Sequence, residues 1–162
     1  MPPVKVSAVV DRPAAEVFAY VTDPGRFHEW QQGVIDGHLE ASADAADGGR
    51  GVPRVGAKCL TTRRIGGADR TVTSVLTHVA PPRTWGVRGI DGPVRATVDV
   101  TVEPVTESSA RVSIAVDFAG YGIGRVLVPL IVRPQASKEM PANIATLKQR
   151  IEAGTGGSDR RV

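Results

Sequence analysis

The amino-acid sequence predicts an α+β fold: a seven-stranded antiparallel sheet, two short helices between its first two strands, and one long helix at the C-terminal end. Three observations support this prediction. Apolar and polar residues alternate in seven short segments, tight-turn residues join several of the later segments, and apolar residues recur at helical spacing near both ends of the chain. Because short turns join strands that run in opposite directions, the later strands are expected to form an antiparallel meander.

The first strand and the helix pair are indicated near the N-terminus. Apolar residues alternate over 4–10, as in a half-buried strand, and then recur at positions i, i+3, i+4 and i+7 over 14–21, as in an amphipathic helix. The sequence Asp23-Pro24-Gly25 ends that helix, because a residue that precedes proline is disfavoured in helical geometry. A second short helical segment then leads to Phe27 and Trp30.

Six further strands are predicted after residue 33. They are expected at about 34–41, 56–65, 69–79, 84–90, 94–103 and 110–118. A loop of small and acidic residues at 41–56 separates the second strand from the third. Gly66-Gly67 and Asp91-Gly92-Pro93 are typical of hairpin turns. The last two strands alternate most regularly, so the sheet should have one buried and one solvated face there.

The third and fourth predicted strands do not follow this rule. Cys59, Thr61 and Arg63 lie on one face and the residues between them on the other, yet neither row is apolar. Two interpretations remain open: an edge region exposed on both faces, or a row of polar groups that lines an internal cavity.

Helical spacing returns after residue 122. Apolar residues recur over 123–131 and again over 140–151, while Pro129, Pro134 and Pro141 should each interrupt a backbone hydrogen bond. We therefore expect a short helix that leads into a long, kinked one ending before Gly154. A single domain at 1–153 would then be followed by a disordered tail at 154–162.

Composition excludes several classes of function. The net charge is only +3 and the arginines are scattered, so no nucleic-acid partner is predicted, and the cluster of Arg63, Arg64 and Arg70 is interpreted as a solvated hairpin end. The single cysteine cannot form a disulfide within the chain, and the three dispersed histidines lack zinc-site spacing, so neither a metal nor a cofactor is predicted.

Cellular location and assembly are inferred from the same features. No secretion signal is visible, and the longest apolar run, at 126–132, is far shorter than the roughly 20 residues of a membrane span. A cytoplasmic protein without stable membrane insertion is predicted, as a monomer or a weak homodimer.

Three stretches carry a resemblance to a known family. They are DRPAAEVFAYVTDPGRFHEW at 11–30, VTSVLTHVAPPRTWGVRG at 72–89 and PLIVRPQASKEMPANIATLKQRIE at 129–152. Together with the order of elements, they resemble the START-like (helix-grip) superfamily, in the branch named SRPBCC or polyketide cyclase/dehydrase-like. The resemblance covers residues 4–153. It implies a curved sheet that wraps the C-terminal helix and leaves a deep cavity for a hydrophobic ligand.

Candidate cavity residues come from positions expected to face inward or to flank the entrance. On the C-terminal helix, Arg133, Ser137 and Met140 share a face with the apolar residues that follow them. The full set of ligand-binding candidates is Trp30, Cys59, Thr61, Arg63, Ser74, Leu76, Trp85, Val87, Tyr121, Arg133, Ser137 and Met140.

Three residues are catalytic candidates. His78 shares a predicted strand face with Leu76, Tyr121 precedes the final helix, and Arg88 would stabilise an enolate if it turned inward. The leading hypothesis is therefore binding of a small hydrophobic, lipid-like or polyketide-like ligand. A polyketide cyclase, aromatase or dehydratase that uses a cavity His, Tyr or Arg is the first alternative, so whether the protein is an enzyme stays open. A regulatory interaction module that uses the 41–56 loop and the arginine-bearing hairpin is the second.

Overall fold

An antiparallel sheet curls into a half-barrel around a long C-terminal helix in the computed structural model, which describes residues 2–40, 53–65 and 67–159. Over this part of the chain the sheet has seven strands in the order β1-β7-β6-β5-β4-β3-β2. The strands are β1 (Val4–Val10), β2 (Val34–Leu39), β3 (Lys58–Ile65), β4 (Ala68–Ala80), β5 (Thr84–Gly89), β6 (Val94–Thr106) and β7 (Ser109–Gly120). The predicted α+β class, the seven strands and the antiparallel meander from β3 to β7 are confirmed.

The helical elements also lie where the sequence predicted them. Helix α1 (Ala14–Val21) and a 3₁₀ segment (Pro24–Glu29) connect β1 to β2. The Asp23 side chain caps the second of these by accepting a hydrogen bond from the Gly25 N–H at 2.9 Å. Most of the predicted 41–56 loop lies outside the described residues.

The C-terminal helical region has three parts. A short helix α2 (Gly124–Leu127) passes through a π-helical segment (Val128–Val132) into helix α3 (Arg133–Asp159). Pro129 and Pro134 have no N–H to donate, so the regular i→i−4 ladder cannot form around them, and the π segment lies there. Helix α3 continues to Asp159, so the predicted end before Gly154 is wrong. The remaining predicted tail, 160–162, lies outside the described residues.

Apolar residues of α3 face the concave side of the sheet. Met140, Ile144, Leu147 and Ile151 are buried in the main core, as predicted, but Ser137 is exposed and Ala136 packs against the core in its place. An ideal helix places Ala136 and Ser137 on opposite flanks of this face, so helical spacing alone does not decide which of them the core covers.

Side chains of α3 also cover the outer edge of β1. Lys148 donates from Nζ to the Val9 carbonyl at 2.8 Å, and Arg133 donates to the Pro2 carbonyl. These contacts block the free carbonyls that would otherwise pair with another strand. Within the described residues, no helix is both long enough and apolar enough to span a bilayer.

Candidate functional site

The inner face of β3 excludes one of the two interpretations that the sequence left open. Cys59 is 1% exposed and Thr61 is 7% exposed, whereas Lys58 and Arg64 are exposed to solvent. Cys59, Thr61 and Arg63 therefore point toward the interior of the half-barrel, and β3 is not an edge exposed on both faces. A row of polar side chains follows the inner surface of this strand.

Arg63 is the charged member of this row. Its Nη2 donates to Gln31 Oε1 at 3.2 Å, which is its only hydrogen bond from the side chain to the described residues. Burial lowers the pKa of Arg63, while the carboxylate of Glu139 on α3 acts in the opposite direction. Because a guanidinium remains protonated at neutral pH and carries several N–H donors in a planar fork, donors are left for a further acceptor.

Three aromatic rings form a wall of the interior. Phe27 lies between two tryptophans, with ring centroids 6.0 Å from Trp30 and 6.1 Å from Trp85, both in edge-to-face geometry. The buried Trp30 Nε1 has no hydrogen-bond partner among the described residues. Gln31, which follows Trp30 directly, is the side chain that contacts Arg63.

Apolar side chains of β4, β5 and α3 complete this surface. Leu76, Trp85, Val87 and Met140 are buried in one cluster with Trp30 and Cys59. Ser74 is partly buried and donates from Oγ to the Cys59 carbonyl at 3.3 Å. Burial raises the pKa of Cys59 to about 11, so the thiol is protonated at neutral pH and is a poor nucleophile.

His78 does not face the interior, and this expectation is wrong. The pairing of β4 with β5 shifts by one residue between Leu76 and His78, so the alternation of inward and outward positions reverses there. The His78 imidazole lies across Gly86 on the outer face, with Nε2 2.8 Å from Asp99 Oδ1. Both side chains are substantially exposed.

Four other candidates also lie away from the interior. Arg88 is exposed next to the inward-facing Val87, and Ser137 is exposed on α3. Tyr121 is half-exposed, with the Arg95 guanidinium 4.2 Å from its ring centroid. Arg133 turns to the sheet edge, where Nη1 donates to Asp117 Oδ1 at 3.0 Å. Among the described contacts, none of the three catalytic candidates, His78, Arg88 and Tyr121, hydrogen-bonds to Arg63. The inward orientation considered for His78 and Arg88 is wrong, and the role of Tyr121 at the entrance stays a prediction.

Sequence reasoning missed three polar residues of this region. They are Gln31, Glu139 and Asn143, whose Oδ1 accepts a hydrogen bond from the Gln32 N–H at 3.1 Å. Gln31 lies outside regular structure, so no periodic pattern marks it. The only available signal for Glu139 was its place directly before Met140 on a helix with one buried face.

A groove lies on the outer side of the sheet. This groove of about 370 Å³ follows the outer faces of β1, β7 and β6, lined by Lys5, Ser7, Asp99, Thr101 and Ser113 among others. No group of three or more His, Cys, Asp or Glu side chains in the described part of the chain is placed to hold a metal ion.

Comparison with solved structures places the fold among known ones. The chain superposes with a TM-score of 0.71 on the Zhui aromatase/cyclase from Streptomyces sp. R1128, at 12% identity over 93% of each chain. A START superfamily protein from Mycobacterium smegmatis gives a TM-score of 0.66 at 15% identity, with 94% of this chain and 99% of that one covered.

A longer protein is also similar. The di-domain ARO/CYC BexL from the BE-7585A biosynthetic pathway gives a TM-score of 0.69 at 18% identity over 94% of this chain. The chain spans 47% of that protein, about half its length. At such identities the likeness concerns the fold alone. Comparison with functionally curated proteins gave no match.

The family model described as "Polyketide cyclase / dehydrase and lipid transport" matches residues 1–152, nearly the whole chain. The resemblance recognised in the sequence is thereby confirmed. The chain belongs to this polyketide cyclase/dehydrase and lipid transport family of the START-like superfamily.

Proposed function

We propose that the protein binds a small hydrophobic molecule, lipid-like or polyketide-like, on the concave side of the sheet, with an oxygen-bearing end of the molecule hydrogen-bonded to Arg63. The observation that carries the proposal is the position of this guanidinium. It faces the interior beside an apolar and aromatic surface, and it has one side-chain hydrogen bond to the described residues.

The chemistry of the surroundings supports a ligand with two unlike ends. Leu76, Trp85, Val87 and Met140 offer hydrocarbon and aromatic contacts, and Met140 adapts its shape to different apolar partners. A guanidinium prefers carbonyl, enolate or carboxylate oxygens because its N–H groups form charge-assisted hydrogen bonds with them. The Trp30 Nε1 would gain the acceptor that it lacks among the described residues.

A cyclase-type reaction is the second candidate, and the electrostatic interaction of the Glu139 carboxylate with Arg63 favours it. Glu139 could therefore accept a proton in the region where Arg63 could donate hydrogen bonds to an oxyanion. In a ring closure, a carbon acid would lose its proton to the carboxylate and attack a carbonyl carbon, and the resulting oxyanion would be stabilised by Arg63. The displaced catalytic candidates, His78, Arg88 and Tyr121, make simple binding the better-supported function.

Paired substitutions on β3 test the role of Arg63. Arg63→Met removes the inward charge, whereas Arg64→Met removes the neighbouring outward charge and serves as the control. The probes are a medium-chain fatty acid and the alcohol of equal length. The wild type should bind the acid more tightly, by about tenfold or more, because a charge-assisted hydrogen bond contributes about 1.5–3 kcal/mol. Arg63→Met should abolish this preference and Arg64→Met should retain it.

Native mass spectrometry of the protein purified from its own host supplies the ligand itself. A co-purifying small molecule that is released unchanged supports binding, and a synthetic polyketone that is converted supports the cyclase. If neither probe raises the melting temperature and nothing co-purifies, the proposal fails, and the interaction module with the 41–56 loop and the arginine-bearing hairpin becomes the better hypothesis. The cytoplasmic location and the monomeric or weakly dimeric state stay predictions, and size-exclusion chromatography measures the latter.

A further inference from the structure

The connection between β7 and α3 exposes an unusual amount of apolar side chain. Ile123 is 68% exposed and Leu130 is 70% exposed, and more than half of Val126 and Ile131 is also accessible to solvent. These residues, with Tyr121, form what we call the 121–131 surface. Single exposed apolar residues are ordinary, but several within eleven residues indicate contact with a partner or a membrane.

The outward orientation of this surface is fixed by backbone packing. A Cβ added at Gly124 would lie 1.8 Å from the Pro93 carbonyl oxygen, so helix α2 approaches the β5–β6 turn more closely than any side chain allows. The Tyr121 N–H donates to the same carbonyl at 2.8 Å. Gly124 and Val128 are buried, which leaves Ile123, Val126 and Leu130 on the solvent side. The apolar side chains are therefore held out to solvent by the tightly packed start of α2.

Charge around the surface distinguishes the possible partners. The charged side chains between Asp117 and Glu139 in the sequence are all cations: Arg125, Arg133 and Lys138. Arg133 is engaged by Asp117, while Arg125 is exposed within the apolar stretch itself. Two copies of the chain meeting through this surface would bring like charges together, whereas an anionic surface would complement both its apolar and its cationic groups.

We propose that the 121–131 surface docks reversibly on an anionic lipid bilayer. Ile123, Val126 and Leu130 enter the boundary between headgroups and acyl chains, and Arg125 lies among the anionic headgroups. A helix that lies in the interface needs neither the length nor the continuous hydrophobicity of a membrane-spanning one. The proposal goes beyond ligand binding, since docking requires no ligand and no contact with Arg63.

Vesicle co-sedimentation tests the proposal. The full chain is mixed, without added ligand, with phosphatidylcholine vesicles and with vesicles of phosphatidylcholine and phosphatidylglycerol at about two to one. The wild type should bind the anionic vesicles more tightly and lose affinity as salt is added. The double substitution Ile123→Ser with Leu130→Ser should weaken binding at least tenfold, because it removes most of the apolar area available for insertion.

Matched controls come from the opposite end of the β6–β7 hairpin. Val105 is an exposed apolar residue there, and Val105→Ser should leave vesicle binding unchanged. Arg125→Gln should remove much of the preference for anionic vesicles, whereas Arg83→Gln, at the exposed β4–β5 turn, should retain it. All the substituted residues are exposed, so melting temperatures near that of the wild type will establish that the variants are folded.

Two results would overturn the proposal. One is that the folded wild type binds neither kind of vesicle. The other is that native mass spectrometry shows a dimer that the Ile123→Ser, Leu130→Ser variant no longer forms, which would assign the surface to a second copy of the chain. Because the vesicle assay contains no ligand and leaves Arg63 unchanged, either result stands apart from failure of the proposed ligand-binding function.

Discussion

Polar side chains on the two faces of the sheet have opposite surroundings. On the outer face, His78 pairs with Asp99 at 2.8 Å and Arg64 with Asp69 at 3.0 Å, and water reaches all four. On the inner face, Arg63 lies among buried residues with a single side-chain hydrogen bond to the described residues. A charge in such a place is costly unless something pairs with it, so an acceptor supplied by the proposed ligand would lower the cost of burying Arg63.

The volume of a concavity does not by itself show which face of the sheet would hold a ligand. The groove on the outer face reaches about 370 Å³, yet small side chains such as Ser7, Thr101 and Ser113 leave that space and it opens to solvent. Sites for small molecules usually combine a mostly apolar surface with a few polar groups that water does not satisfy. The inner face has that combination, and the outer groove has a lining of small and charged residues.

Truncation of a buried side chain should reveal the largest difference between the two faces. Leu76 is 1% exposed on the inner face of β4, and Leu76→Ala should lower the free energy of unfolding by about 2–5 kcal/mol because it leaves a cavity. Thr71→Ala, at an exposed position of the same strand, should change it by about 0.5 kcal/mol or less. Urea denaturation measures both, and equal effects would contradict the assignment of the faces.

The outward position of His78 can be tested through Gly86. A Cβ at residue 86 would lie 2.3 Å from His78 Nε2, so Gly86→Ala should displace the imidazole and cost about 1–3 kcal/mol of unfolding free energy. The same substitution in a His78→Ala background should cost clearly less, because the two closest collisions are removed and only that with Thr77 Oγ1, at 2.9 Å, remains. This double-mutant cycle isolates the contact. A penalty of the same size in both backgrounds would show that His78 does not cover Gly86.

The contrast between Arg63 and His78 also shows how far sequence reasoning extends. Alternation along β6 and β7 predicted their buried face because every second residue is apolar. On β3 both rows are polar, so only the pairing with β4 determines that Arg63 turns inward. His78 was misplaced because a one-residue shift in pairing reverses the pattern, and no residue type announces that shift.

Contacts between separate elements of the fold could not be predicted from the sequence, because no repeating pattern marks them. Gln31 reaches Arg63 because the 3₁₀ segment and β2 bring it next to β3, which is a tertiary contact between residues far apart in the sequence. On α3 the apolar face was predicted through Met140, yet Ser137 on its flank is exposed, because contacts with the sheet and not helical spacing decide which flank is covered. Regular elements were therefore predicted, and the contacts between them were not.

The smallest expected effect concerns an ion pair where α3 meets the end of β1. Glu152 accepts hydrogen bonds from Lys148 Nζ at 2.6 Å and from the Asp11 N–H at 2.9 Å, and these lower its pKa below the usual range. A carboxylate with a lowered folded-state pKa stabilises the fold above its unfolded pKa of about 4.3, and this contribution is lost as the pH falls through the folded-state value. Glu152→Gln should therefore destabilise the protein by about 1 kcal/mol at neutral pH and by less in acid.

Denaturation at neutral pH and at acidic pH, where Glu152 is protonated in the wild type, measures this difference. Glu107→Gln is the matched control, since Glu107 is exposed in the β6–β7 turn and should give the same small change at both pH values. A Glu152→Gln effect that persists unchanged in acid would mean that the carboxylate charge does not stabilise this end of α3. A pH-dependent effect well above 1 kcal/mol would weaken the contrast between the two faces, because it would make an accessible ion pair as important as a buried contact.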